Sequence, residues 1–352
     1  MLYEKCAYFR NAEQYNNIQF FIEKDIPVYG ISPANPFESE VKTVLIIKLG
    51  YCETLVKEEG FSPSLGDVFR HTVLLHHYKD YHVTWLTSSS AALLLQHNPY
   101  IDKLLIYGAF DEKNLAGTYF DEVLCLEKAE TLCNIARSVN TSRHLGFGWK
   151  RNNVHAHPMA RKALDVANGK KHRHTIQELL YEMVGARWQG EDYVLAPRPA
   201  PIEIHDIGLN YQVGSKWPSK AWPMANWKAL DKLCKMEGWD VSWQQGCSNL
   251  NDYINWISSC RLIVTCDSLG MHLGLALKKK VIALFGPTPS EQIYMYDRGV
   301  IIRAPGACRH APCMRSQCEL KSRCMMDIQP SEVLNTIREL IPRPEWVPAG
   351  IE

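Results

Sequence analysis

The sequence predicts an α/β protein of two domains, each built on a parallel sheet, facing one another across a cleft. Three observations carry that prediction. Short apolar runs alternate with segments of helical spacing along most of the chain, the pattern of parallel strands joined by crossover helices. Three prolines at alternate positions in APRPAPI, residues 196–202, interrupt the alternation near the middle and stiffen the chain there. The length, 352 residues, exceeds one ordinary domain and suits two of roughly 150 to 200 residues.

Residues 1–42 lack strong periodicity and are expected to form an added arm or cap. The first domain is read over 43–195, with strands at 44–47, 83–86, 104–107, 122–125 and 144–147 and helical spacing at 68–78 and 91–97. Residues 150–174 are basic and hold His155, His157, His172 and His174, so they read as a surface insertion or loop. TIQELLYEMV, residues 175–184, has an amphipathic helical pattern. The proline-rich linker spans 196–206, and the second domain 207–340. Its series runs strand 207–213, helix 227–236, strand 239–244, helix 250–257, then a closing helix at 331–340 and a tail at 341–352.

Within that series, residues 262–289 are the most informative. An apolar run ends in Asp267-Ser268-Leu269-Gly270, a helical segment follows, and a second run ends in Gly286-Pro287-Thr288. Strand, turn, helix and strand in so short a span make a βαβ unit. Ligands of open parallel sheets sit beyond the carboxyl ends of the strands. A Ser/Gly turn opening a helix offers backbone N–H groups to an anion, so the segment reads as a phosphate or pyrophosphate cradle.

The composition, 46% apolar and 22% charged, is that of a soluble globular protein. A net charge of +1 and a pI near 7.6 argue against a nucleic-acid partner. The polar start carries no apolar signal-peptide core, and no window approaches a membrane span. The expected compartment is the cytoplasm. Of the twelve cysteines, Cys125, Cys133, Cys234, Cys260 and Cys266 lie among apolar residues and suit a reduced core.

Six segments then occur in order: VLIIKLG (44–50), SLGDV (64–68), GSKWPSKAWP (214–223), CDSLGMH (266–272), LFGPTP (284–289) and CRHAPCMRSQCELKSRCM (308–325). Together they resemble the bacterial heptosyltransferases, family 9 of the glycosyltransferases. The resemblance implies a GT-B fold, two Rossmann-like domains facing a central cleft, and transfer of a heptose from an ADP-sugar. The implied acceptor is a glycan such as lipopolysaccharide core, which would make the enzyme peripheral to the inner membrane. A protein or small-molecule acceptor is the alternative, because residues 51–63 (YCETLVKEEGFSP) are inserted where relatives run directly into SLGDV.

Asp67, in a turn after the first strand, is expected to be the base, a role typically worth about 10²- to 10⁴-fold; the family's matching Asp is the proposed base. Its bland alternative is a helix cap. An Asp67→Asn variant is expected to fold normally and lose turnover. Lys220 matches the family's phosphate-contacting lysine, with Lys216 a nearby rival. Gly214, Ser215, Ser268, Leu269, Gly270, Met271 and Thr288 are expected around the donor. Asp267 would either cap the helix or orient Lys220 or His272. Trp243, Gln244, Gln245 and Gly246 end the strand expected to reach the base, with Asn251 or Asp252 near the ribose.

No paired acidic motif stands at a strand end to hold Mg²⁺, so transfer is expected to need no cofactor and, with one cleft carboxylate, to invert the sugar. Cys308, Cys313, Cys318 and Cys324, with spacings x4, x4 and x5, could hold structural Zn or Fe as four thiolates; reduced packing cysteines are the alternative. A rival class is a degenerate GT-B module that binds nucleotide without transferring sugar, its cysteine cluster sensing metal or redox state. A dinucleotide-dependent oxidoreductase is disfavoured, since no GxGxxG follows the first strand.

Overall fold

The computed structural model describes residues 41–342 except 58–59, 61, 110–112, 200, 246–248, 307, 309 and 320–322. The expected N-terminal arm and most of the tail therefore lie outside the described residues. The described residues cluster as one compact unit, in which two sheets define two lobes.

The first lobe runs β1 (Thr43–Ile47), α1 (Leu65–Arg70), β2 (His82–Thr87), α2 (Ser89–Leu95), β3 (Lys103–Ile106), α3 (Lys113–Ala116), β4 (Tyr119–Cys125), α4 (Glu130–Ser138), β5 (Asn140–Lys150), β6 (Asn153–Ala156), α5 (Arg161–Ala167) and α6 (Ile176–Met183). Its sheet order is β3-β2-β1-β4-β5-β6, parallel except for the β5–β6 hairpin. The second lobe runs β7 (His205–Asn210), α7 (Met224–Met236), β8 (Val241–Trp243), α8 (Leu250–Ser258), β9 (Cys260–Cys266), α9 (Leu269–Ala276), β10 (Lys280–Phe285), β11 (Gly299–Arg303), α10 (Arg323–Met326) and α11 (Pro330–Leu340). Its order is β11-β10-β9-β7-β8, all parallel. The strand order reverses at β1 in one sheet and at β7/β9 in the other. Those switch points are where a parallel sheet leaves a crevice.

The central strands are buried on both faces, which is why they read as unbroken apolar runs. One buried cluster joins Val68, Leu74 and Leu180 of the first lobe to Tyr253, Ile263 and Met271 of the second. The proline-rich linker thus separates the sheets but not the core, and β7 already begins at His205.

Three expectations change. The helix expected over 68–78 is the short α1 followed by a 3₁₀ turn at His71–His76. Residues 150–174 are not one loop: they hold the end of β5, all of β6 and α5, with Ala160 and Ala163 buried. Their small buried residues gave no apolar stripe to read. His155 and His157 pack against each other and His157 stacks on His144, so this pair is not a solvated loop either. The amphipathic segment holds as α6, opened by a capping box between Thr175 and Glu178.

Candidate functional site

A cleft of about 380 Å³ lies where the strand ends of the two lobes converge. From the first lobe it is lined by Glu53, Leu65, Gly66, Asp67 and Arg70, and from the second by Gly214, Ser215, Lys216, Lys220, Gln244, Asp267, Ser268, Leu269, His272 and Thr288. The walls touch at α1 and α9. A Cβ on Gly66 would lie 3.5 Å from His272 Cδ2 and from the Leu269 backbone.

On the second-lobe wall, Lys220 ends a 3₁₀ turn (Pro218–Lys220) after β7. Its ammonium pairs with Asp267 at 2.6 Å and lies 4.8 Å from the Trp217 ring centroid. Asp267 also accepts from the Thr288 hydroxyl at 2.8 Å. Burial acts to raise the Asp267 carboxyl, yet Lys220, His272 and Thr288 outweigh it and hold the group below its ordinary range. Of the two roles weighed for Asp267, orienting Lys220 is the one the contacts describe. The helix N-cap position belongs to Ser268. The Ser268 hydroxyl accepts from Asn210 Nδ2 at 3.2 Å and shares a 3.1 Å bond with Thr265.

Gly270 and Met271 do not line this cleft. Met271 is fully buried and its N–H donates to the Ser268 carbonyl at 3.1 Å. Gly270 is required for another reason: a Cβ there would fall 2.2 Å from Asn210 Nδ2 and 2.3 Å from the Tyr253 hydroxyl. Trp243 donates to Asp231 at 3.0 Å and Asn251 accepts from Arg198 at 2.9 Å, so neither faces the cleft. Gly246 lies outside the described residues.

The first-lobe wall is built around Asp67, only 3% exposed. Ser64 is the N-cap of α1, and Asp67, in its first turn, makes no capping bond. Its carboxylate instead pairs with Lys48 at 2.5 Å and with Arg70, and accepts from the Thr54 N–H at 3.3 Å. Lys48 is fully buried, lies 3.4 Å from Glu127 and donates to the Cys52 carbonyl at 2.7 Å. Burial would raise the Asp67 carboxyl, but Lys48 and then Arg70 overwhelm it and hold the group far below the carboxylate range. Lys48, Arg70, Glu127 and Glu53 were not singled out from the sequence. A lysine just past a strand end carries no signal of burial when one of its partners, Glu127, is 79 positions away.

Two histidines are kept neutral here. Burial, then Arg70, lowers His272 from 6.5 to about 4, and burial lowers His71 to about 3. Tyr193 and His272 Nδ1 are 3.3 Å apart. Below its ordinary pKa of 6.5 an unfolded histidine takes up a proton that this site refuses. Stability should therefore fall as the pH drops from 6.5 towards 4. His272→Gln should remove on the order of 3 kcal/mol of that loss at pH 4. Urea melts at neutral and acid pH read it, and an unaltered pH slope would contradict the assignment.

Cys308, Cys313, Cys318 and Cys324 are the candidate metal set. Cys324 is buried beside Met325, while Cys313 and Cys318 are partly exposed. Burial, and then Cys308, Cys318 and Cys313, push the Cys324 thiol up. Among the described residues, no three His, Cys, Asp or Glu side chains form a group that could hold a metal ion. The thiols as placed do not present the donor set a structural Zn or Fe needs. No described helix is long and apolar enough to cross a membrane.

The family model for glycosyltransferase family 9 (heptosyltransferase) matches residues 245–323. A lipooligosaccharide heptosyltransferase 2 of Campylobacter jejuni is 35% identical over 88 residues, 24% of this chain and 27% of that protein. The match thus spans about a quarter of the curated relative's length. The structure of E. coli ADP-heptose LPS heptosyltransferase II aligns with a TM-score of 0.60 at 16% identity, over 85% of this chain and 98% of that one. The iron-containing dodecameric glycosyltransferase TibC aligns with a TM-score of 0.53 at 14% identity, over 85% and 76%. At such identities the likeness is one of fold. Residues 245–323 thus match the glycosyltransferase family 9 (heptosyltransferase) model, and the chain around them shares the two-lobed GT-B fold of that E. coli structure.

Proposed function

We propose that this protein is an inverting, metal-independent glycosyltransferase. It moves a heptose-like sugar from a nucleotide diphosphate donor, ADP-heptose, to a hydroxyl of a glycan such as lipopolysaccharide core. One observation carries the reading: Lys220, held by Asp267 at 2.6 Å, and the start of α9 line one side of the cleft that Asp67 lines from the other.

In the reaction, the acceptor oxygen bonds to the anomeric carbon as the bond to the donor's β-phosphate oxygen breaks. The electron pair leaves with the diphosphate, whose growing charge Lys220 and the first N–H groups of α9 stabilise. Asp67 takes the hydroxyl proton. A carboxylate held so low is a weak base at rest; the hydroxyl becomes acidic only as the new C–O bond forms, and transfer belongs to that moment.

The test is release of ADP from ADP-heptose, with and without lipopolysaccharide core and with a chelator. Acceptor-dependent release that the chelator leaves intact is expected; loss of release with the chelator would overturn metal independence. The double pairing of Asp67, with Lys48 and Arg70, favours a second reading, a module that binds nucleotide without transferring sugar. ADP binding without release under any acceptor would select it.

A further inference from the structure

Residues 51–57 leave β1, pass through the first lobe's buried polar cluster and deliver one side chain to the opposite lobe. The backbone is held by two buried lysines. Lys48 donates to the Cys52 carbonyl at 2.7 Å, and Lys128 donates to the carbonyls of Glu53 at 2.7 Å and Thr54 at 3.1 Å. The Cys52 N–H donates to Glu127 at 2.9 Å, and the Thr54 hydroxyl lies 2.7 Å from His71 Nε2. From that fixed segment the Glu53 carboxylate accepts from the Trp217 indole N–H at 3.0 Å and pairs with Lys216 at 3.3 Å. Glu53 and Trp217 are each 8% exposed. Gly60 approaches the same lysine, since a Cβ there would lie 2.8 Å from Lys216 Nζ.

Trp217 is the floor under Lys220, whose ammonium lies 4.8 Å from its ring centroid. A ring face attracts a cation only while the ring stays beneath it. The indole N–H is fixed by Glu53, so a first-lobe carboxylate sets the angle of the second-lobe ring on which Lys220 rests. The same carboxylate occupies Lys216, the rival lysine, which explains why these two neighbours have different surroundings.

We propose that Glu53 is a positioning residue for the donor's diphosphate, acting from the acceptor lobe through Trp217 on Lys220. The insertion thereby builds the donor side of the cleft rather than bordering the acceptor alone. This rests on the reading of the Lys220 wall as the diphosphate site. A hydrogen bond to a charged, nearly buried acceptor is strong enough that its loss should be visible in binding.

The test is calorimetric titration of ADP into the full chain and its variants. Glu53→Ala and Trp217→Phe should each weaken ADP binding about tenfold, and the double variant no further than either alone. Glu53→Gln, which keeps an oxygen acceptor for the indole and frees Lys216, should bind ADP at least as tightly as the unaltered protein. Binding within twofold for Glu53→Ala, additive losses, or a Glu53→Gln as weak as Glu53→Ala would each overturn the proposal. Hydrogen exchange of residues 214–220 gives a readout that needs no ligand, with Glu53→Ala expected to speed it about tenfold. An unaltered protein that binds no nucleotide diphosphate removes the function proposed above. Unchanged exchange removes the positioning role.

Discussion

Replacing Asp67 by Asn is expected to lower turnover by about 10²-fold or more and also to destabilise the fold by roughly 3 to 5 kcal/mol. The second effect revises the expectation that this variant folds normally. Asn keeps the shape but removes the charge that compensates two cations, Lys48 and Arg70. Removing one partner of a buried ionic cluster is expensive because the other charges stay buried. Glu127, 3.4 Å from Lys48, softens the loss without replacing it. Urea melts measure stability, and ADP release per folded molecule measures turnover. A variant that melts early but transfers at the unaltered rate would make Asp67 a structural residue only.

Lys220→Ala should cost about 10² to 10³ in turnover, the range seen when one stabilising group is removed from developing negative charge. The variant loses a cation and also strips Asp267 of its 2.6 Å partner. A lone carboxylate then faces the incoming diphosphate, so donor affinity should fall with turnover. Lys220→Arg should restore only part of the loss, because a guanidinium can stack on the Trp217 ring but is longer and spreads its charge over a planar fork where Lys220 presents a compact point charge. The measurement is kcat/KM for the donor at fixed acceptor; a change of less than about threefold, small against the expected loss, would exclude Lys220 from the diphosphate site.

Much of this architecture was legible because it is local. The βαβ unit from β9 to β10 could be read from two apolar runs and a polar turn, since strands covered on both faces must be apolar throughout. Asp267 and Thr288 could be named because each sits just beyond a strand end, and Lys220 because its segment resembles the family's. The partnership among them was only half visible: capping and orienting were equally good readings of Asp267 until its distances were known. What stayed hidden is long-range. Lys48 looks like any polar residue beside a strand, and nothing nearby in sequence announces Glu127. Glu53 sits in a stretch whose charges suggest a solvated loop, yet its partners are 163 and 164 positions away. For Gly270 and Met271 the sequence offered backbone N–H groups only: both residues turn inward from the first turn of α9, and the Met271 N–H already meets the Ser268 carbonyl.

The proposed transfer depends on where the donor lies, and a crystal structure with an ADP-sugar analogue locates it directly. The prediction is a β-phosphate within about 3 Å of Lys220 Nζ and of a backbone N–H at the start of α9, with the anomeric carbon turned toward Asp67. A nucleotide bound outside this cleft, or one whose sugar points away from Asp67, would contradict it.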